Sequence, residues 1–274
     1  MAFSALRPHP ALASFVLGYW FIEDLPGEHE GLPIRTTPHP VAVLTLNLGT
    51  PCGSEFTAGA PRASLLGVQS RPRHWTSTDG IYFVMVMLSP PGLARLFPST
   101  GKESRDELVE LGSLLGDATV RRLSDDLSAA WTPRRVADRL DAWLLQRLSR
   151  RRVGPEVERL GSAWSHLRRT ARVDAAARAL AISPRQLERW FLLHTGHSPK
   201  QLLGLERVQA SLRAAQTGRG DPLAGFSDQS HQIRAWKRHL GMTPGQLGGA
   251  FESRMAEFFV HERDAAPEGL AHFL

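Results

Sequence analysis

Gly225-Phe226-Ser227-Asp228-Gln229-Ser230-His231, then Arg234, Trp236-Lys237-Arg238 and Gly241-Met242-Thr243-Pro244, is the stretch on which the reading of this 274-residue chain turns. Its end, His239-Leu240-Gly241-Met242-Thr243-Pro244-Gly245-Gln246-Leu247, answers His194-Thr195-Gly196-His197-Ser198-Pro199-Lys200-Gln201-Leu202, 45 positions earlier. Each copy follows a helix-like segment rich in Arg and Trp. Ser198-Pro199-Lys200-Gln201, Thr243-Pro244-Gly245-Gln246 and Ser183-Pro184-Arg185-Gln186 share one device. The hydroxyl can accept the N3 amide, Gln can reach back to the cap amide, and Pro suits the first helical position. Three such starts mark helix boundaries from local chemistry alone.

Upstream of the first copy the order is short helix (Val173 to Leu180), tight turn, capped helix (Pro184 to His194). That is the order of a helix-turn-helix, in which the first helix braces the second for entry into the major groove. Leu180, Leu187 and Phe191 supply the buried side, with Trp190 beside them. Arg185, Glu188 and Arg189 fall on another face. Arg can bond guanine O6 and N7, and Glu can accept from cytosine N4. In an isolated helix the same residues read equally as solvated charge pairs; the turn, the cap and the second copy favour DNA. The second candidate helix runs from about Asp228, its N-cap, to Leu240. Ile233, Trp236 and Leu240 form its expected core face, and Arg234 falls 45 positions after Arg189.

Charge agrees. Residues 1–120 and 251–274 each carry net −3, whereas 121–154 carry +5 and 155–250 carry +7, within an overall +6. A basic C-terminal half suggests a polyanionic partner.

The Gly225 to Pro244 block resembles the signature of the AraC/XylS family of bacterial transcription regulators. The 183–193 segment and Gly196-His197-Ser198-Pro199 are similar to that family's first reading helix and linker-helix entry. The likeness covers roughly 155–250. It implies two helix-turn-helix units joined by a long helix, here Pro199 to Gln216, which at 1.5 Å per residue is ~25 Å long. Such a helix suits units ~34 Å apart on successive major grooves. The base-reading positions it implies are Arg185, Glu188 and Arg189, then Gln229, Ser230, His231 and Arg234. Phosphate contacts fall to Lys200, Lys237, Arg238 and helix N-terminal amides. Weaker likeness in Leu6 to Trp20, Leu44 to Gly49 and Gly67 to Pro72 implies a sensor-type N-terminal region. Two departures concern the second unit. Thr217-Gly218-Arg219-Gly220-Asp221-Pro222-Leu223-Ala224 stands where the family has a bracing helix, leaving Leu223 and Ala224 as apolar bracing. Gln232 occupies a position where the pattern prefers an apolar residue, removing a packing contact. The second unit is therefore expected to be loosely held or unable to enter the groove, with the first dominating DNA affinity.

The first ~120 residues read as strands. Phe15 to Glu23, Val41 to Leu48 and Ile81 to Leu88 are β-branched and aromatic runs between Pro/Gly turns. The expected architecture is α+β: an N-terminal β-rich small barrel, cupin-like and sensor-type, over 1–120; a helical linker or dimerisation segment over 121–154; an all-α double helix-turn-helix domain over 155–250, its second unit shortened; and a tail over 251–274. In the second part, Pro133 to Leu148 places Val136, Leu140, Trp143, Leu144 and Leu148 at helical spacing.

Other chemistry is thin. His29, His39 and His74, with Glu28, Glu30 and Glu55, lack metal-ligand spacing, so no metal is expected. No nucleophile elbow, phosphate loop or dinucleotide fingerprint occurs, and Cys52 stands alone; no catalytic residue and no cofactor are expected. Trp20, Trp75 and Phe83 suit either a small-molecule pocket or plain core. No apolar run reaches the ~20 residues of a membrane span, and no secretory signal is visible. The expectation is a bacterial cytoplasmic regulator. Its partners would be double-stranded DNA, a small-molecule effector at the N-terminal domain, a second copy of the chain, and RNA polymerase where the outcome is activation. An interaction protein with a degenerate DNA-binding domain, and a cupin-type enzyme, are the competing readings.

Overall fold

The computed structural model describes residues 2–54, 60–98, 100–150 and 152–249. Its N-terminal part is β-rich and its C-terminal part helical. β8 (Ile81–Leu88) is the central strand, and all eight of its residues are buried. It pairs antiparallel with β2 (Val16–Asp24) on one side and β4 (Ala42–Asn47) on the other. β1 (Ala2–Leu6) extends the sheet beyond β2, and β6 (Ala63–Leu66) and β9 (Leu108–Glu110) extend it beyond β4. A second sheet has the order β3 (Pro33–Thr36), β7 (Arg73–Thr76), β5 (Gly53–Ser54). Among the described residues the strands form these two sheets, and no ladder closes them into one ring.

The period of two along β8 divides two cores. Tyr82, Val84, Val86 and Leu88 face one layer, and Phe83, Met85 and Met87 face Ile34 and Trp75 of the small sheet. Covering the first face are α1 (Pro90–Leu96), α3 (Asp117–Ala130) and α4 (Pro133–Arg150), with the short α2 (Leu111–Leu115) beside them. The helices of 121–154, expected as a linker or dimerisation segment, pack on this sheet. Leu123, Leu127, Val136, Leu140 and Leu144 are buried against the domain's own sheet. The stripe at 133–148 is therefore already covered. Arg147 Nε donates to the Leu96 carbonyl and Arg95 Nη2 to the Leu148 carbonyl, fastening α4 to α1.

The helical part comprises α5 (Pro155–Thr170), α6 (Val173–Ala179), α7 (Pro184–Thr195), α8 (Pro199–Thr217) and α9 (Gln229–Leu240), then a 3-10 turn at Pro244–Gly249. All three expected helix starts are built. Ser183 Oγ accepts from the Gln186 amide, Ser198 and Gln201 form a reciprocal capping box, and Gln246 Oε1 accepts from the Thr243 amide. Ala181 takes the left-handed conformation (φ 52°) in the turn between α6 and α7. α8 is the spine. Leu202 and Leu205 pack with α5, α6 and α7, whereas Val208 and Leu212 pack with Trp236 and Leu240 of α9.

The second unit lacks a bracing helix, as expected, but it is not loose. Residues 222–225 form a turn. Leu223 and Ala224 are exposed, so neither braces α9; Phe226 packs there instead. Ile233, expected in the core, is only half-buried, and Gln232 is buried in its place. The reason is a polar hub. Ser211 Oγ donates to the Pro222 carbonyl (2.6 Å) and accepts from Gln232 Nε2 (3.0 Å) and Trp236 Nε1 (2.9 Å). Gln232 Nε2 also reaches the Pro222 carbonyl at 2.8 Å. Gln232 thus supplies a contact rather than removing one.

Two outcomes test this account. Ser211→Ala leaves buried polar partners unmatched and should cost about 2–3 kcal/mol, read as faster amide exchange in α9 than in α7; equal rates before and after substitution would remove the hub's role. His39, fully buried before β4, has its imidazole pushed down to about 4 by burial, partly offset by backbone hydrogen bonding at Val41. An unfolded His titrates near ~6.5, so its contribution is present above that pH and is lost as pH falls towards 4. The loss is of the order of 3 kcal/mol, and His39→Gln should flatten that part of a pH-stability profile.

Candidate nucleic-acid interface

α6 and α7 form the first unit. Ala176, Ala177, Leu180, Leu187, Trp190 and Phe191 are buried with Trp164 and Leu167 of α5. Trp164 meets Phe191 with ring centroids 6.3 Å apart, and the Arg159 guanidinium lies over the Trp190 ring. This packing turns Arg185, Glu188 and Arg189 outward, and all three are exposed. They occupy the first turn and a half of α7, the part of a reading helix that meets base edges.

In the second unit Gln229, Ser230 and Arg234 of α9 are exposed, as are Lys237 and Arg238 towards its C-terminus. His231 is different. It is half-buried, its amide is capped by Asp228 Oδ1 at 2.7 Å, and its Nδ1 lies 3.2 Å from Ser227 Oγ. Its ring stands edge-on to Phe226 at 5.4 Å. The imidazole therefore fixes the entry to α9. The capping interactions with His231 and Ser227 hold the Asp228 carboxyl below its usual range. Lys200 is exposed in the first turn of α8. Arg185, Glu188 and Arg189 thus share one face of α7, and Gln229, Ser230 and Arg234 are carried on α9 at the other end of the spine.

Both α7 and α9 end against the N-terminal domain, which sequence alone did not show. Arg35 Nη2, on β3, donates to the Leu240 carbonyl at 2.8 Å. His239 Nδ1 donates to the Ser70 carbonyl at 3.1 Å, and burial lowers its pKa. At the end of α7, Gly101 presses backbone against backbone, and a Cβ there would stand 2.1 Å from the His194 carbonyl carbon. His197, also lowered by burial, sits with Nε2 3.9 Å from Asp106 Oδ2. Gln209, on the spine, donates to Thr37 Oγ1 (2.7 Å) and to the Pro38 carbonyl (2.8 Å). Val68 and Ala94 of the N-terminal part enter the core of the first unit. No local motif marks Arg35, Gln209 or Asp106, because each partner lies far along the chain.

Between the two sheets lies a cavity of about 70 Å³ lined by Ile34, Thr36, Asn47, Ser64, Trp75 and Phe83 among others. Trp75 and Phe83 are thus pocket residues as well as core; Trp20 packs against Phe3 instead, with ring centroids 5.7 Å apart. Cys52 lines the same cavity, and burial pushes its thiol up to about 12, far from a nucleophile's range. Among the described residues, of the histidines weighed for metal only His29 groups with other ligand types, namely Glu28 and Asp24. Asp24 Oδ2 accepts the His29 amide at 2.9 Å, so the group closes a turn. Glu55 and the 251–274 tail lie outside the described residues. Among the described residues no helix is long and apolar enough to cross a membrane.

Comparison with known proteins agrees with this division. Residues 176–249 match the model of a helix-turn-helix domain, and residues 4–110 match a domain of unknown function (DUF6597). No curated protein matches. Among solved structures, ToxT from Vibrio cholerae O395 is similar at 11% identity, with a TM-score of 0.42 over 84% of this chain and 95% of that chain. Unsaturated fatty acid bound wild-type ToxT from Vibrio cholerae strain SCE256 is similar at 11% identity, with a TM-score of 0.40 over 84% and 92%. The chain therefore carries a helix-turn-helix domain over 176–249 behind a β-rich domain that matches the DUF6597 model over 4–110.

Proposed function

We propose that the protein is a sequence-specific, ligand-responsive transcription regulator of the bacterial cytoplasm, reading duplex DNA with α7 and α9. One observation carries this reading. Two capped helices stand at opposite ends of α8, with Arg185 and Arg189 exposed on one and Arg234 on the other. At 1.5 Å per residue the 19-residue spine is ~28 Å long, close to one turn of DNA, ~34 Å. Arg185, Glu188 and Arg189 read bases in the first half-site, and Gln229, Ser230 and Arg234 read the second. Lys200, Lys237 and Arg238 hold phosphates. His231 acts by orienting α9. The polar hub that holds the second unit supports this reading over that of a degenerate module.

Ligand response is supported by the second sheet. Ile34 and Thr36 of β3 line the cavity. Arg35, between them, points the other way and closes the end of α9. Thr37 and Pro38, next along the chain, hold Gln209 of the spine. One short edge strand is thus wall to both the cavity and the DNA-binding domain. A ligand that favours one position of β3 shifts the population of reading geometries by its differential affinity for them. The described lining carries no charged side chain, so the ligand that fits is small, neutral and largely apolar, with a group for Thr36, Asn47 or Ser64.

Selection of bound duplexes from random sequence, with the full chain, is expected to return a two-part site. Arg189→Ala should relax one base position at a cost of about 1–3 kcal/mol; no enrichment from the wild-type protein would end the regulator reading. Arg35→Ala should speed amide exchange over 236–240 by about tenfold or more, the loss expected for a hydrogen bond from a charged donor. It should also weaken the second part of the site more than the first. Unchanged exchange there would show that β3 does not hold α9.

A further inference from the structure

We infer that the N-terminal domain itself contacts DNA, through Lys102 and Arg105, which grip the phosphate backbone beside the first reading helix. The inference rests on the DNA-binding reading above and extends it to a domain that no reading-helix motif covers. An open groove of about 930 Å³ runs between α7 and the loop at 100–106. Arg185, Glu188 and Arg189 line one wall, and Lys102 and Arg105 line the other. Four cations therefore face one carboxylate across a groove continuous with the base-reading surface. Glu103, exposed on the same loop, is not among the lining residues.

The loop is built to hold those cations at a fixed offset from α7. Gly101 lies against the backbone of His194 and Thr195, closer than any side chain permits. Gly196 is left-handed (φ 74°) and meets the Gly101 carbonyl and the Arg105 stem. Ser104 is fully buried. Asp106 anchors the loop from behind. Its carboxylate accepts from the Ser70 amide (2.5 Å) and Ser70 Oγ (2.9 Å), and its carbonyl accepts from Arg73 Nη2 (2.6 Å). Arg105 Nε pairs with the same carboxylate at 3.9 Å, which leaves the Arg105 side chain about half exposed beside the groove. A reading helix in the major groove has a phosphate strand along each flank, and that strand is the polyanion these side chains match. Side chains held in advance lose less entropy on binding.

The test uses the full chain with Lys102→Ala and Arg105→Ala combined, titrated against a selected duplex and a scrambled one over a salt series. Thermal unfolding checks that these two exposed positions leave the fold intact. Each phosphate contact contributes about 0.9 to the slope of log affinity against log salt. The slope should therefore fall by about 1.8, equally for both duplexes, with sequence preference unchanged. Lys102→Arg with Arg105→Lys should restore it. A slope unchanged by the alanine pair, while wild type still selects its site, overturns the inference and leaves the regulator reading standing. Tighter binding by the alanine pair also overturns it, since the loop would then obstruct DNA. A wild-type chain that binds no duplex at all overturns both.

Discussion

The last carbonyls of an α-helix have no partner within the helix, and in this protein the N-terminal domain supplies one at the end of α9 and packs backbone against the end of α7. Arg35 closes the end of α9 with a charged donor, suited to the partial negative charge at a helix C-terminus. Gly101 closes on the end of α7 by removing its side chain from the contact. His239 and His197, just within or beyond those ends, fall on Ser70 and Asp106, and these two residues are themselves bonded together. One patch of the N-terminal domain, from Ser70 to Asp106, therefore touches the exit of each unit. A change in that patch cannot leave the relation between α7 and α9 untouched.

α8 completes the constraint. Most helices bury one stripe, but this one buries several directions at once, towards the first unit, the second unit and the N-terminal domain. Gln209 is the member that faces the N-terminal domain. Its amide satisfies a hydroxyl and a carbonyl in a buried setting, where an unmatched polar group costs about 1–3 kcal/mol. That makes the docking directional. Apolar packing alone tolerates sliding, whereas two hydrogen bonds from one amide fix where along α8 the N-terminal domain sits.

Local chemistry was legible in the sequence and long-range pairing was not. Ser183, Ser198, Thr243 and Asp228 declared their helices because a cap and its amide lie within three residues. The run Ile81 to Leu88 declared a strand by its β-branched and aromatic residues, although its burial on both faces and the strands that flank it depend on chain return. The stripe at Val136, Leu140 and Leu144 showed that something covers it; that the cover is the domain's own sheet is a matter of topology. Among the candidate site residues, Arg185, Glu188, Arg189 and Arg234 were readable as an outward face because helical spacing dictates it. The role of His231 was hidden, since its geometry depends on Ser227 and Phe226 folding back. Arg35 had no local signal at all: its partner lies 205 positions away.

The two units reach similar exposure of their reading faces by different physics. The first is braced by apolar area: Ala176, Ala177 and Leu180 against Leu187 and Phe191. The second has a turn at 222–225 in place of a helix, with Leu223 and Ala224 turned to solvent. It substitutes direction for area. Ser211 spends its one proton on Pro222 and both lone pairs on Gln232 and Trp236, so no capacity is left unmatched. Two of those partners are on α9, one turn apart, and two donors a turn apart on one acceptor fix the rotation of the helix about its axis. Each residue step turns the helix by ~100°. Seating Gln232 rather than Ile233 opposite α8 therefore decides which of Gln229, Ser230 and Arg234 faces outward. On this account Gln232, polar where an apolar residue was expected, is the one that sets the rotation of α9.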